Sequence, residues 1–211
     1  MTPAEKYNVY LNFVNSALGD MVRADALFER YGDEIKFVAG FFRKQANLWG
    51  GDKHKKLYRG VRLADPNLDG TILVPHGDYA DVKFSSFSES PTIACHFADP
   101  GNKGFPVLDL TGRGRKLPLN GYLATANVPA TRVLFHYSFF ALAPGVWDRV
   151  FGVGEWQPLL DQKEATVFVP GLKQKLTNFQ TACTDYVNVR YGGTWQAGTP
   201  DPFAPPWIGE I

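Results

Sequence analysis

The segment Asp161-Gln162-Lys163-Glu164-Ala165-Thr166-Val167-Phe168-Val169-Pro170 decides how the chain is read. From Ala165 it is apolar and β-branched, and Pro170-Gly171 stops it, which predicts a strand running into a turn. Side chains on a strand alternate between faces, so this pattern puts Gln162 and Glu164 on one face and Lys163 on the other. An amide and a carboxylate then stand side by side at the mouth of an apolar strand. Taken alone, this is an edge strand with a solvated polar start. The flanking sequence gives it more weight.

Ahead of it, Phe151-Gly152-Val153-Gly154-Glu155-Trp156-Gln157-Pro158 reads as a loop that delivers the chain to the strand. Trp156 there is either packed down as core or offered to a partner. Residues 139–150 read as a short helix containing Trp147, and residues 122–128 and 133–135 as strand pieces joined at Pro129. Beyond Pro170, residues 172–182 begin irregularly, and Tyr186-Val187-Asn188-Val189-Arg190-Tyr191 alternates as a final strand. From Gly192 the chain is rich in Pro, Gly and aromatic residues. That composition lies extended along a groove and is expected here to cover its own domain.

Farther upstream, Leu57-Tyr58-Arg59-Gly60-Val61-Arg62-Leu63 reads as a strand with Leu57, Arg59, Val61 and Leu63 on one face. A guanidinium on an apolar face needs an anionic partner, either a structural carboxylate or a ligand phosphate gripped bidentately. Gly60 would let a ligand approach the backbone. In Lys83-Phe84-Ser85-Ser86-Phe87-Ser88-Glu89-Ser90-Pro91, Phe84, Ser86 and Ser88 share a strand face. Ser88 or Ser90 then caps a helix that begins at Pro91 and turns Ala94, Phe97 and Ala98 inward. Residues 65–79 are loop-like. Residues 105–110 read as another strand, and Thr111-Gly112-Arg113-Gly114-Arg115-Lys116 as an exposed basic loop, or one beside an anionic ligand, without the spacing of a phosphate-binding P-loop.

At the start, Thr2-Pro3-Ala4-Glu5 has the form of a helix cap, and apolar residues then recur near helical period to Met21. A second helix is expected from about Ala24 to Trp49, with Gly32 and Gly40 as weak points. The run Lys53-His54-Lys55-Lys56 reads as a solvated loop. The chain has 211 residues, 45% hydrophobic and 20% charged, with a net charge of +1, which suits a globular protein without a global pull toward nucleic acid or membrane. The polar N-terminus lacks the apolar run of a signal peptide, so a cytoplasmic setting is expected, with Cys95 and Cys183 reduced and buried. No His or Cys spacing suggests a metal site.

An Arg on one strand, a Ser-x-Ser on a second and a Gln-x-Glu on a third, in that order, resemble the Arg–Ser–Glu class of mono-ADP-ribosyltransferases. That class includes bacterial toxin enzymes and phage-encoded enzymes. The residues carrying the resemblance are Tyr58-Arg59-Gly60, Phe84-Ser85-Ser86-Phe87-Ser88 with Ala94 and Phe97 downstream, and Gln162-Lys163-Glu164. It implies an α+β fold, with N-terminal helices (residues 1–50) packed on a split two-sheet β core (residues 57–191) in a single domain of residues 1–191, followed by a tail of residues 192–211. It also implies NAD as substrate, with no metal. Arg59 would hold phosphate or ribose oxygens, and the Gly60 backbone the nicotinamide amide. Phe97 would stack on nicotinamide, Ser86 would orient Glu164 with Ser88 in support, and Glu164 would bond the ribose hydroxyl. Phe87 stands where the family commonly has Thr. Gln162 stands where arginine-modifying members carry Glu, which implies a protein side chain other than Arg as acceptor, with Trp156 in the acceptor-recognition loop. The alternatives are an NAD glycohydrolase of the same fold, a non-catalytic interaction module, and RNA attachment through Arg113, Arg115 and Lys116.

Overall fold

A computed structural model describes residues 1–18, 20–51, 53–63, 83–99 and 120–192. The expected loop at 65–79, the strand at 105–110, the basic loop at 111–116 and the tail from residue 193 lie outside the described residues. Helix α1 is Pro3–Ala17, capped as the sequence predicts: the Thr2 hydroxyl accepts the Glu5 N–H, and the Glu5 carboxylate accepts the Thr2 N–H. Helix α2, Met21–Gln45, follows an Asp20 cap and carries non-helical angles at Tyr31, beside Gly32. A 3-10 turn at Leu48–Gly50 leads into strand β1, His54–Leu63.

Strand β2 is Phe84–Ser88, and helix α3 is Pro91–Ala98, with Ser90 as the cap and Pro91 in the first turn. Strands β3, Asn120–Pro129, and β4, Val133–His136, flank a 3-10 turn at Ala130–Arg132. A 3-10 segment at Tyr137–Leu142 precedes helix α4, Pro144–Phe151, and a short helix α5, Gln157–Asp161. Strands β5, Glu164–Phe168, and β6, Gln174–Asn178, are followed by helices α6, Phe179–Ala182, and α7, Thr184–Tyr191. The fold is therefore α+β, with two N-terminal helices and strands hydrogen-bonded in the order β4-β5-β2-β1-β3-β6. Where registers are defined, β2 with β5, β4 with β5 and β3 with β6, the pairing is antiparallel.

The described residues fall into two compact units. One takes residues up to Leu57 with 83–89 and Asn127–Lys173; the other takes 58–63, 90–99, 120–126 and 174–192. The first has an aromatic core. Phe13 and Phe28 of the helices meet Phe84 at 5.0 and 5.7 Å, and Trp147 is ringed by Phe42, Phe135 and Phe140. Buried Tyr10 donates its hydroxyl to the Leu134 carbonyl at 3.0 Å. Among the described residues of the second unit, a core cluster is formed by Ala94, Cys95, Ala98, Leu123, Phe179, Cys183 and Val187.

Three expectations need correcting. The stretch at 186–191 is helical, not a strand. Val187 is buried while Val189 is 90% exposed, so alternate apolar residues do not share a face. Cys183, Val187 and Tyr191, four apart, all join the core. Helical spacing serves three tertiary contacts at once, and that outweighs the local alternation. The cysteines are not reduced: Cys95 and Cys183 form a disulfide with Cα atoms 5.7 Å apart. Their sequence separation of 88 hid a proximity that α3 and α6 create. The basic run is not a loop, since β1 begins at His54.

Candidate active site

In the first unit, β2 and β5 bring the Ser-x-Ser and the Gln-x-Glu together. The register pairs Phe84 with Phe168, Ser86 with Thr166 and Ser88 with Glu164. These alternate pairs share a face. It is aromatic at one end, where Phe84 and Phe168 lie 5.7 and 5.8 Å from the Phe28 ring, and it becomes hydroxyl- and carboxyl-bearing at the other. The direct cross-strand neighbour of Glu164 is Ser88, and Ser86 lies one pair along, opposite Thr166. Glu164 is 7% exposed and Ser88 4%.

Gln162 and Lys163 precede the strand, so alternation does not govern them as the sequence suggested. Pro158 lies in the first turn of α5, and Gln162 closes it as C-cap with φ −75° and ψ −11°. The Gln162 and Lys163 amides donate to the carbonyls of Pro158 and Leu160 at 2.9 and 3.0 Å. Lys163 then turns left-handed, φ +50°, and delivers Glu164 to β5. A five-residue helix is too short for periodicity to reveal. The end of β2 clamps this turn from across the ladder: the Ser88 hydroxyl donates to the Gln162 carbonyl at 2.6 Å, and the Glu89 N–H to the Lys163 carbonyl at 3.2 Å.

Trp156 is half-buried. Its Nε1 donates to Asp148 Oδ1 at 2.7 Å, and its ring stacks on Phe140 at 5.0 Å. The exposed apolar side chain of that loop is Val153, 87% accessible.

Arg59, Gly60 and Phe97 belong to the second unit. Arg59 is half-buried and has the strand parity of buried Leu57 and Val61. A Cβ added to Gly60 would sit 2.2 Å from the Ala94 carbonyl oxygen and 2.2 Å from the Ala98 nitrogen. The missing side chain thus lets the α3 backbone pack against β1. Phe97 is half-buried on α3, edge-on to His96 at 5.8 Å. Deeper in this unit, Asp99 is fully buried. It accepts from the hydroxyls of Tyr186 and Tyr191 at 3.0 and 2.7 Å and pairs with Arg190 at 2.9 Å. Burial, and then the hydrogen bond to Asp99, push the Tyr191 hydroxyl up to about 12.

Sequence reasoning passed over Glu89, the residue after the Ser-x-Ser. Its carboxylate accepts from Trp49 Nε1 at 2.8 Å, Lys55 Nζ at 2.7 Å, His136 Nε2 at 2.9 Å and the Tyr137 hydroxyl at 3.2 Å. Burial alone would raise its pKa, but hydrogen bonds from His136, Lys55 and Trp49 overcome this and hold it at about 2. The signal in the sequence was a carboxylate at a buried strand end, together with the basic run at 53–56 that it partly neutralises.

Among the described residues, no group of three or more His, Cys, Asp or Glu is arranged to hold a metal ion, and no helix is long and apolar enough to cross a membrane. Compared with protein-family models, curated proteins and solved structures, the chain matches none.

Proposed function

We propose that the protein is an NAD-dependent mono-ADP-ribosyltransferase, which breaks the nicotinamide–ribose bond and passes ADP-ribose to a macromolecular acceptor. The observation that carries this reading is the pairing of Ser88 with Glu164 on adjacent strands, with the carboxylate almost fully buried. Burying a carboxylate at a polar strand end is costly. Chemistry that develops positive charge on a sugar gives it a use. At ~4 Å and an effective dielectric near 20, a carboxylate attracts such a charge by roughly 4 kcal/mol, and only the excess over the ground state accelerates the reaction.

In this reading Glu164 bonds the nicotinamide-ribose hydroxyl and faces the developing cation, while Ser86 and Ser88 steady it. Arg59 grips the NAD phosphates, the Gly60 backbone meets the nicotinamide amide, and Phe97 stacks on the ring. Gln162 is neutral, so it hydrogen-bonds an acceptor amide or hydroxyl in place of a guanidinium. The α+β build, with N-terminal helices and antiparallel strands, is compatible with the split two-sheet core of that family.

The test is incubation with labelled NAD and a cell lysate. Glu164→Gln keeps the shape, removes the charge, and is expected to slow NAD turnover on the order of a hundredfold or more. Turnover near wild type in that variant removes Glu164 from the mechanism. Labelled peptides are expected to carry the label on residues other than Arg.

A second reading, NAD glycohydrolase, gains support from the contacts of Trp156, which Asp148 and Phe140 hold down. Release of nicotinamide without any labelled macromolecule decides for water as the acceptor.

A further inference from the structure

We propose that Glu89 is a positioning residue for Glu164, acting through the turn that delivers it; this rests on the transferase reading above. The side chain and the main chain of Glu89 do different things. The side chain, 9% exposed, is fixed from four segments, with Trp49 and His136 on Oε1 and Lys55 and Tyr137 on Oε2. His136 is itself oriented: its Nδ1 accepts from the Ser138 N–H at 3.2 Å and faces the Ser138 hydroxyl at 2.7 Å, so the ring proton is on Nε2, toward the carboxylate. The main-chain N–H of Glu89 donates to the Lys163 carbonyl, and the hydroxyl of the preceding Ser88 donates to the Gln162 carbonyl. The two peptide carbonyls ahead of Glu164 are thus held by two consecutive residues of one strand end, the second of which is anchored by its own carboxylate.

Strain at both ends of this relay points the same way. Trp49, which aims its indole N–H at Glu89, has φ +53°, and Lys163, which Glu89 holds, has φ +50°. Left-handed angles are unfavourable for bulky residues and persist where surrounding contacts over-determine them. The four donors on one carboxylate and the clamp on the turn supply that determination.

The charge matters as well as the shape. An amide in place of the carboxylate turns an NH2 toward one of the two donor pairs, so a donor faces donors. In Glu89→Gln the strand end shifts, and the turn shifts with it. Glu89 does not touch the reacting atoms; its effect is on where Glu164 stands, so the loss falls on kcat and not on NAD binding.

The test uses the full chain as wild type, Glu164→Gln, Glu89→Gln and Tyr137→Phe. Tyr10→Phe, which loses the buried bond to Leu134, serves as a destabilised control. Steady-state kinetics with NAD and hydrogen exchange of the amides of residues 162–165 are measured on each. For Glu89→Gln, kcat is expected to fall about tenfold to a hundredfold with KM for NAD within about twofold, and exchange at 162–165 to quicken. Tyr137→Phe removes one donor and follows in the same direction by less, which keeps the test open should Glu89→Gln not fold. Tyr10→Phe leaves kcat and the exchange at 162–165 unchanged.

Unchanged kcat in both network variants beside an inactive Glu164→Gln overturns the positioning role and leaves the enzyme reading standing. A fall in rate that merely tracks the fraction of folded protein also overturns it. A wild-type chain with no NAD turnover overturns the enzyme reading and the catalytic consequence with it. The exchange data then decide separately whether Glu89 holds the turn.

Discussion

The two units achieve burial by different means. In the first, rings supply the area: Trp147 is fully buried, with Phe140 at 5.4 Å, Phe42 and Phe135 at 5.7 Å and Phe151 at 6.2 Å. Among the described residues of the second, the core cluster is built from alanines, a leucine, a valine and a phenylalanine, with tyrosines packed against it and a disulfide within it. Each unit also buries a carboxylate among hydrogen-bond donors, Glu89 in one and Asp99 in the other. The difference shows two ways of holding a cluster together. Large side chains bury much apolar surface each, and among smaller ones a covalent tie adds to what the packing supplies.

Breaking the tie is the strongest challenge to that contrast. Replacing Cys95 and Cys183 together with Ala opens a loop with a sequence separation of 88, and chain entropy sets the expected loss at about 4–5 kcal/mol. Urea denaturation of the oxidised wild type and the double variant measures it, and equal midpoints would mean that the second unit stands on its apolar contacts alone. The counterpart in the first unit is Trp147→Ala, expected to cost about 4 kcal/mol through the cavity it leaves. A loss well under 1 kcal/mol there would show that the ring cluster relaxes into the space, and the contrast would lose its basis.

The third test separates the carboxylates and shows only in acid. The folded pKa of Glu89 is depressed, so its contribution to stability is complete above the ordinary 4.5 and is lost as pH falls toward about 2. Denaturation midpoints measured across that window should fall more steeply for wild type than for Glu89→Gln. Parallel profiles would assign the acid sensitivity to other groups.

The same contrast explains what the sequence revealed. The cap of α1, the cap of α3 and the strands around Pro129 were legible because each is encoded within a few neighbouring residues. In the candidate site, the Ser-x-Ser was legible as a strand face; the family resemblance implied that Ser86 meets Glu164, and the register instead sets Ser88 opposite it. Glu89 was not legible, because its donors Trp49, Lys55, His136 and Tyr137 stand 40, 34, 47 and 48 residues away along the chain. The second unit misled most. Tyr186 to Tyr191 alternates locally like a strand, yet Val187 and Tyr191 are drawn into a helix by a core and a disulfide that no local window contains.

Lys163 carries one further consequence. A motif written Gln-x-Glu leaves its middle letter blank, as though any residue would serve. Here the blank position has the positive φ, and its carbonyl is the one clamped by Glu89. Glycine or asparagine should therefore be accepted at 163, whereas valine or isoleucine should be refused for want of an allowed backbone shape. In a randomised library, the unnamed residue would be among the most selective of the three.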